Sequence, residues 1–396
     1  MPSGMIDLPP VEADPLLGLL AAVRADTRPG KVDLGVGIYK DAAGQTPVLA
    51  SVRAAELKRI DAETTKSYES AQGNPVFGQE IGRLVLGELQ DRHAVFATPG
   101  GSGALHIAMR FLQRLSPQGR LFVSKPCWPN HLGIAKALNI PVVDYVYAPK
   151  GDGYPDFDQV LADLEDLQAG DAVLLQGPCH NPTGTDFNAE QWAALADKIV
   201  AVGALPLIDM AYQGFAYGLD EDVAPLRAFL AKVPEALITY SCSKNFGLYR
   251  ERTGALLVQA ATADAVDRSK SHLASIVRTV YSMPPSNGPA IVAHILSDPA
   301  LERQWREELD GMRDRLRTLR EGFAGALVRA ANDDRFHVLA QEKGMFSILP
   351  LTKEAILTLR EEHAIYMPGS GRINVAGLPE DRLEEIAAAI APHLIR

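Results

Sequence analysis

The spacing of apolar residues changes along this chain, and the changes divide it into segments. Between residues 13 and 26, Leu16, Leu17, Leu19, Leu20 and Val23 recur among Asp and Arg at helical spacing, and Pro29-Gly30 marks the turn that ends the segment. Residues 32–39 alternate poorly and carry Gly35 and Gly37. They predict extended backbone packed closely against something, because glycine weakens a strand unless the space beside it is used. From about residue 50 to 300, short apolar runs alternate with amphipathic stretches. Strands are predicted at 121–123, 142–147, 172–175, 205–208, 237–240 and 255–258, with helices at 104–115, 130–138, 189–202 and 223–230. Such alternation predicts an α/β fold, a doubly wound and mostly parallel sheet with helices on both faces, whose ligands sit beyond the C-terminal strand ends. The remainder predicts a long charged helix from 301 to about 328, a segment at 344–349, a helix at 353–363, a short strand at 372–375 and a last helix from Pro379.

Length adds a division to this pattern. The chain has 396 residues, and single cores tend to split above roughly 250 to 300. We expect residues 1–45 to form an N-terminal arm and part of a smaller α+β domain, 46–300 the large domain, and 301–396 the rest of the smaller one. The formal charge is 39 − 49 = −10, which argues against nucleic acid as a partner. Three cysteines, Cys127, Cys179 and Cys242, make no paired framework, so a reducing compartment is expected. The first residues lack a basic region followed by an apolar stretch, and no run is long enough to span a membrane. The expected location is the cytoplasm, with no membrane partner and no metal.

Candidate chemistry gathers at predicted strand ends. Asp209 closes the apolar run 204–208, where a strand delivers a carboxylate to the ligand crevice. It can pair with a protonated ring nitrogen or simply cap a turn. Lys244 follows the next strand in Ser241-Cys-Ser243-Lys244. Taken alone it reads as a surface lysine; with two hydroxyls and Arg252 eight residues on, it reads as an amine beside a phosphate site. Thr98-Pro-Gly-Gly-Ser-Gly-Ala104 adds a glycine-rich loop before a helix, the arrangement that brings backbone amides to an anion.

The residues around these points spell a family. Thr98–Leu105, Pro126-Cys-Trp-Pro-Asn-His131, Cys179-His-Asn-Pro-Thr-Gly184, Ile208-Asp-Met-Ala-Tyr-Gln-Gly-Phe215, the stretch from Ser241 to Arg252, Tyr281-Ser-Met-Pro-Pro285, Lys343-Gly-Met-Phe346 and Ser370-Gly-Arg-Ile-Asn-Val-Ala-Gly377 resemble, in order, the aspartate and aromatic amino acid aminotransferases. These are fold-type I enzymes that use pyridoxal 5′-phosphate. The resemblance implies that Lys244 is the Schiff-base and proton-shuttling lysine, and that Asp209 is the partner of the pyridine nitrogen. Tyr212 and Asn181 are implied donors to the phenolic oxygen, and Trp128 the ring stacked on the cofactor. The resemblance further implies a phosphate shared among Gly101, Ser102, Ser241, Ser243 and Arg252, with Tyr68 donated by the neighbouring subunit of a homodimer. Arg372 resembles the family's clamp for the substrate α-carboxylate, with Gly37, Asn181 and Trp128 beside it, and Arg278 resembles the residue by which the partner subunit holds a distal carboxylate.

Three departures stand out. Gln176 replaces a frequent His behind the acidic partner, Lys125 a common Asp, and Met283 a frequently polar residue. With Ile38 and Phe346, Met283 is expected to favour aromatic side chains. The implied function is ping-pong transamination of aromatic amino acids and/or aspartate with 2-oxoglutarate or oxaloacetate. The alternatives are a strict aspartate aminotransferase or another reaction of the same cofactor, such as β-elimination or decarboxylation.

Overall fold

Neighbouring residues in the central strands face different cores. Val173 and Leu175 belong to one buried cluster and Leu174 to another; Ile208 and Leu207, Ile238 and Leu237, and Leu257 and Leu256 divide the same way. Successive side chains in a strand point to opposite faces, so a sheet with both faces apolar needs a layer on each side. The computed structural model describes residues 4, 5, 8, 15–149 and 153–395; residues 13 and 14, where the first helix is expected to begin, lie outside them.

The strands, in chain order, are β1 (Val32–Asp33), β2 (His93–Pro99), β3 (Leu121–Lys125), β4 (Val142–Val146), β5 (Ala172–Gln176), β6 (Leu205–Met210), β7 (Ala236–Ser241), β8 (Thr253–Gln259), β9 (Phe346–Ile348), β10 (Ile365–Tyr366) and β11 (Arg372–Asn374). Seven of them form the central sheet in the order β2-β8-β7-β6-β5-β3-β4. From β7 to β4 the pairs are parallel, while β8 runs antiparallel to both its neighbours. The sheet is thus mostly parallel, as expected, with one reversed strand. Strand β2 was absent from the expectation. The expected loop at 98–104 is instead the end of β2 and the first turn of the helix Gly100–Leu115.

Two short pairs lie outside the sheet. β1 pairs in parallel with β10, and β9 antiparallel with β11. The helix Pro299–Ala331 begins with Asp298 accepting from the amides of Ala300 and Leu301 and ends at Asn332 in the left-handed conformation. Early in that helix, Trp305 is fully buried, stacks on Phe246 at 4.3 Å and donates from Nε1 to the Asn245 carbonyl at 2.7 Å. Further along, buried Arg320 donates to the carbonyls of Leu339, Lys343, Gly344 and Phe346 and to the Ser347 hydroxyl. Glu342 faces it as counter-ion at 3.4 Å.

Candidate active site

Sheet order decides which residues meet. Strands β2, β5, β6 and β7 run in the same direction, so their C-terminal ends share one edge with the start of β8. That edge carries the Pro99-Gly100 junction, Gln176, Asp209, Ser241 and, just before β8, Arg252. Gln176 and Asp209 are register partners, as are Ser241 and Gly254. Residues as distant in sequence as Gly101 and Arg252 are thereby drawn to one cavity of about 320 Å³. Gly37, Gly101, Ser102, Trp128, Asn181, Asp209, Tyr212, Ser241, Ser243, Lys244, Arg252, Phe346 and Arg372, all expected at the site, line it.

Lys244 sits in the turn after β7, with its ammonium 5.3 Å from the Tyr249 ring and 5.9 Å from that of Tyr212. Burial pushes its pKa down to about 8, helped by repulsion from Arg252 and Arg372 and opposed by Asp209. Across the cavity, both Asp209 oxygens are oriented by the protein: Oδ2 lies 2.7 Å from His131 Nε2, and Oδ1 accepts from the Thr239 hydroxyl at 2.7 Å. His131 is fully buried beneath the edge of Trp128, its ring perpendicular at 5.3 Å. A poised amine and a fixed carboxylate therefore face one space.

An anion bay lies beside the lysine. The helix Gly100–Leu115 starts without a side-chain cap, so its first amides are free to bind a negative group. Gly100 has φ +72, and a Cβ there would stand 2.6 Å from Arg252 Nη2; a Cβ on Gly101 would stand 3.1 Å from that of Ser241. Only glycine lets this helix end approach the guanidinium so closely. Arg252 is held by donation from Nη1 to the Tyr249 carbonyl at 3.0 Å, which leaves further donors for an anion.

On the far wall, Arg372 opens β11. Its Nη2 donates to the Gly35 carbonyl at 2.7 Å and its guanidinium lies 4.4 Å over the Phe346 ring, yet its buried Nε has no partner. Gly37 is required by that ring, since a Cβ would come within 2.9 Å of it. The Asn181 Oδ1 is likewise buried without a partner. Buried polar atoms are rarely left unsatisfied, so these two mark where a polar ligand belongs. Ile38 and Phe346 supply apolar lining, joined by Leu16 and Val36, which the sequence reading missed.

Not every expected residue is brought here. Tyr68, 94% exposed, lines a separate groove with Tyr281 and Met283. Arg278 is exposed and donates to the Ser282 hydroxyl. Met283 therefore contributes nothing to this chain's own cavity, unlike Ile38. Lys125 is an exposed partner of Asp144 at 2.9 Å. Conversely, His131, Thr239 and Tyr249 contact the reactive pair although the sequence assigns them no role; His131 and Tyr249 fall within segments that carry the family resemblance, whereas nothing in the spacing of Thr239 marks it.

Comparison with known proteins places the chain in a family. Residues 29–390 match the profile of aminotransferase class I and II. The chain is 44% identical to an aromatic-amino-acid aminotransferase of Paracoccus denitrificans over 97% of its length and 98% of that protein. It is 46% identical to an aspartate aminotransferase of Salmonella typhi, covering 96% and 97%. The crystal structure of an aromatic-amino-acid aminotransferase from Burkholderia pseudomallei, covalently bound to pyridoxal phosphate, superposes with a TM-score of 0.93 at 38% identity, covering 99% of each chain.

Proposed function

The chain belongs to the aminotransferase class I and II family, and from that membership we propose how its own residues carry the reaction and on which substrates. It is an amino acid aminotransferase dependent on pyridoxal 5′-phosphate. The donor set fits this cofactor: a bay of free helix amides, three serines and an arginine for the phosphate, a carboxylate for the ring nitrogen, and a buried amine within the same cavity. When bound, the cofactor supplies an aldehyde carbon for amines and a ring that accepts the electron pair left by a departing α-proton.

Lys244 is the residue that holds the resting cofactor and, once released, moves the proton at the substrate α-carbon through Nζ. A pKa near 8 keeps a useful share of the amine neutral at physiological pH. Asp209, fixed by His131 and Thr239, keeps the ring nitrogen protonated, which gives the ring its pull on electrons. Tyr212 and Asn181 donate to the phenolic oxygen, and Trp128 covers the ring face. Gly101, Ser102, Ser241, Ser243 and Arg252 hold the phosphate. Arg372 clamps the α-carboxylate through its free guanidinium edge, with Gly37, Asn181 and Phe346 beside it.

The observation that carries this reading is the placement of Lys244 and Asp209 at one cavity beside an anion bay. Purified enzyme is expected to show the visible absorbance of bound pyridoxal phosphate, and K244A to lose transamination by several orders of magnitude. Normal turnover by K244A would overturn it.

The substrates are aspartate and glutamate together with at least one aromatic amino acid, and the acceptors 2-oxoglutarate or oxaloacetate. Support comes from near-equal identity to relatives of both kinds and from a lining that mixes Arg372 with Leu16, Ile38 and Phe346. Comparing kcat/KM across aspartate, glutamate, phenylalanine, tyrosine and tryptophan tests this; activity confined to the two acidic amino acids would reject the aromatic part. The enzyme acts as a homodimer in which Tyr68 and Arg278 complete the partner's site. Tyr68 lies on an open groove, with Leu57 and Ile60 also exposed, a surface suited to burial by a second copy. β1–β10 pairing supports grouping residues 1–45 with 301–396 as the smaller domain around the sheet of 46–300. The three cysteines are unpaired, which supports a cytoplasmic location; among the described residues no helix is long and apolar enough to cross a membrane.

A further inference from the structure

The loop after β5 leaves the sheet early. Its last backbone bond to β6 is Gly177 N–H to the Asp209 carbonyl, and beyond it side chains help to hold the chain. Asp186 accepts from the amides of Cys179 and His180. Asn181 is gripped differently. Its N–H donates to Gln176 Oε1 and its carbonyl accepts from Gln176 Nε2, both at 3.0 Å. One planar carboxamide thus closes a ring with both main-chain groups of a single residue, and that residue carries the buried, unpartnered Oδ1 that lines the cavity.

We propose that Gln176 is the positioning residue for Asn181, its amide locking the Asn181 backbone so that the Asn181 side chain is held in place for the ligand. The inference rests on the reading that Asn181 contacts the cofactor or substrate. Few side chains can do this. The head must offer a donor and an acceptor side by side, as a carboxamide or a protonated carboxylic acid does; a carboxylate is acceptor-only and would face the Asn181 carbonyl with a second oxygen. The amide also carries no charge at any working pH. Charged and titratable groups lining the same cavity are Cys179, Asp209, Tyr212, Lys244, Tyr249, Arg252 and Arg372, and Asp209 is the register partner of residue 176. A carboxylate introduced there would stand beside another, so its own protonation would be favoured.

The test compares wild type, Q176A, Q176E, N181A and the double variant Q176A/N181A as holoenzymes. It reads kcat/KM for aspartate, the pH midpoint of the cofactor's absorbance, and thermal unfolding. Q176A is expected to lower kcat/KM roughly tenfold, as loss of two net hydrogen bonds would, and to move the absorbance midpoint. In the N181A background the same change should cost less than about twofold, because a residue that acts through Asn181 has nothing left to position. Q176E should be impaired at alkaline pH and recover toward wild type as the pH falls and its carboxyl protonates, an acid-side gain that neither wild type nor Q176A shows. Effects of Q176A and N181A that multiply, an unmoved absorbance midpoint in Q176A, or a Q176E profile parallel to wild type would each overturn the proposal while wild type remains active. Should Q176A fail to fold, the near-isosteric Q176E decides alone. A wild-type protein that takes up no pyridoxal phosphate overturns the proposal together with the reading beneath it.

Discussion

A buried lysine opposes its own folding. Lys244 titrates near pH 10.5 in an open chain and near 8 when folded, so between those values the unfolded state binds more protons. Stability therefore rises with pH across that window: the penalty is fully present below pH 8 and gone above 10.5. A shift of this size corresponds to about 3 kcal/mol. We expect cofactor-free K244M to resist urea better than cofactor-free wild type at pH 7, by up to about 3 kcal/mol, and the gap to close by pH 10.5. Equal stability of the two proteins at pH 7 would show that the amine is solvated. The Asp209 contacts give a second expectation at this scale. T239V keeps the side-chain volume but removes the donor to Oδ1, and should lower kcat roughly tenfold with little change in KM, measured for aspartate.

Elements explain how such residues are held. The loop bearing Lys244 rests on the helix Pro299–Ala331 through Trp305, which stacks on Phe246 and donates to the Asn245 carbonyl. Trp305→Ala should cost about 3 to 5 kcal/mol through the cavity it leaves. Trp305→Phe keeps most of the packing but strands a buried carbonyl, at about 1 to 3 kcal/mol. Urea unfolding checks both, and a neutral Trp305→Phe would show that the indole N–H is replaceable. Much of this scaffold was legible in the sequence. The helix Ala189–Val202 begins and ends where its periodicity does, because Asn188 and Gln191 form a reciprocal cap and Gly203 terminates it. Strand β2 was not legible: it enters the sheet beside β8, where His93 is the register partner of Gln259, 166 positions later, and local pattern carries no record of that pairing. The same distinction holds at the site. Lys244, Asp209, Arg252 and Arg372 announced themselves by motif, whereas the His131 and Thr239 contacts to Asp209 span 78 and 30 positions and arise only when strands and helices are assembled.

At the scale of the whole molecule, the proposed completion of each active site by a partner predicts complementation. Neither K244A nor R278A homodimers should turn over dicarboxylic substrates well. Unfolding and refolding an equal mixture makes about half the dimers mixed, and each of those carries one intact site, so about a quarter of wild-type activity should return. No recovery would place Arg278 outside the partner's site. The Arg320 knot under β9 has a different kind of consequence. That guanidinium ties four main-chain carbonyls and the Ser347 hydroxyl of one short stretch to a single helix, and Phe346, the floor beneath Arg372, is part of the stretch. With Arg372 in its proposed role, a lineage of such enzymes cannot shift its grip on the common end of every amino acid without undoing the knot. Changes in diet are therefore expected elsewhere in the lining, in residues such as Val36 and Ile38, which lie outside the knot.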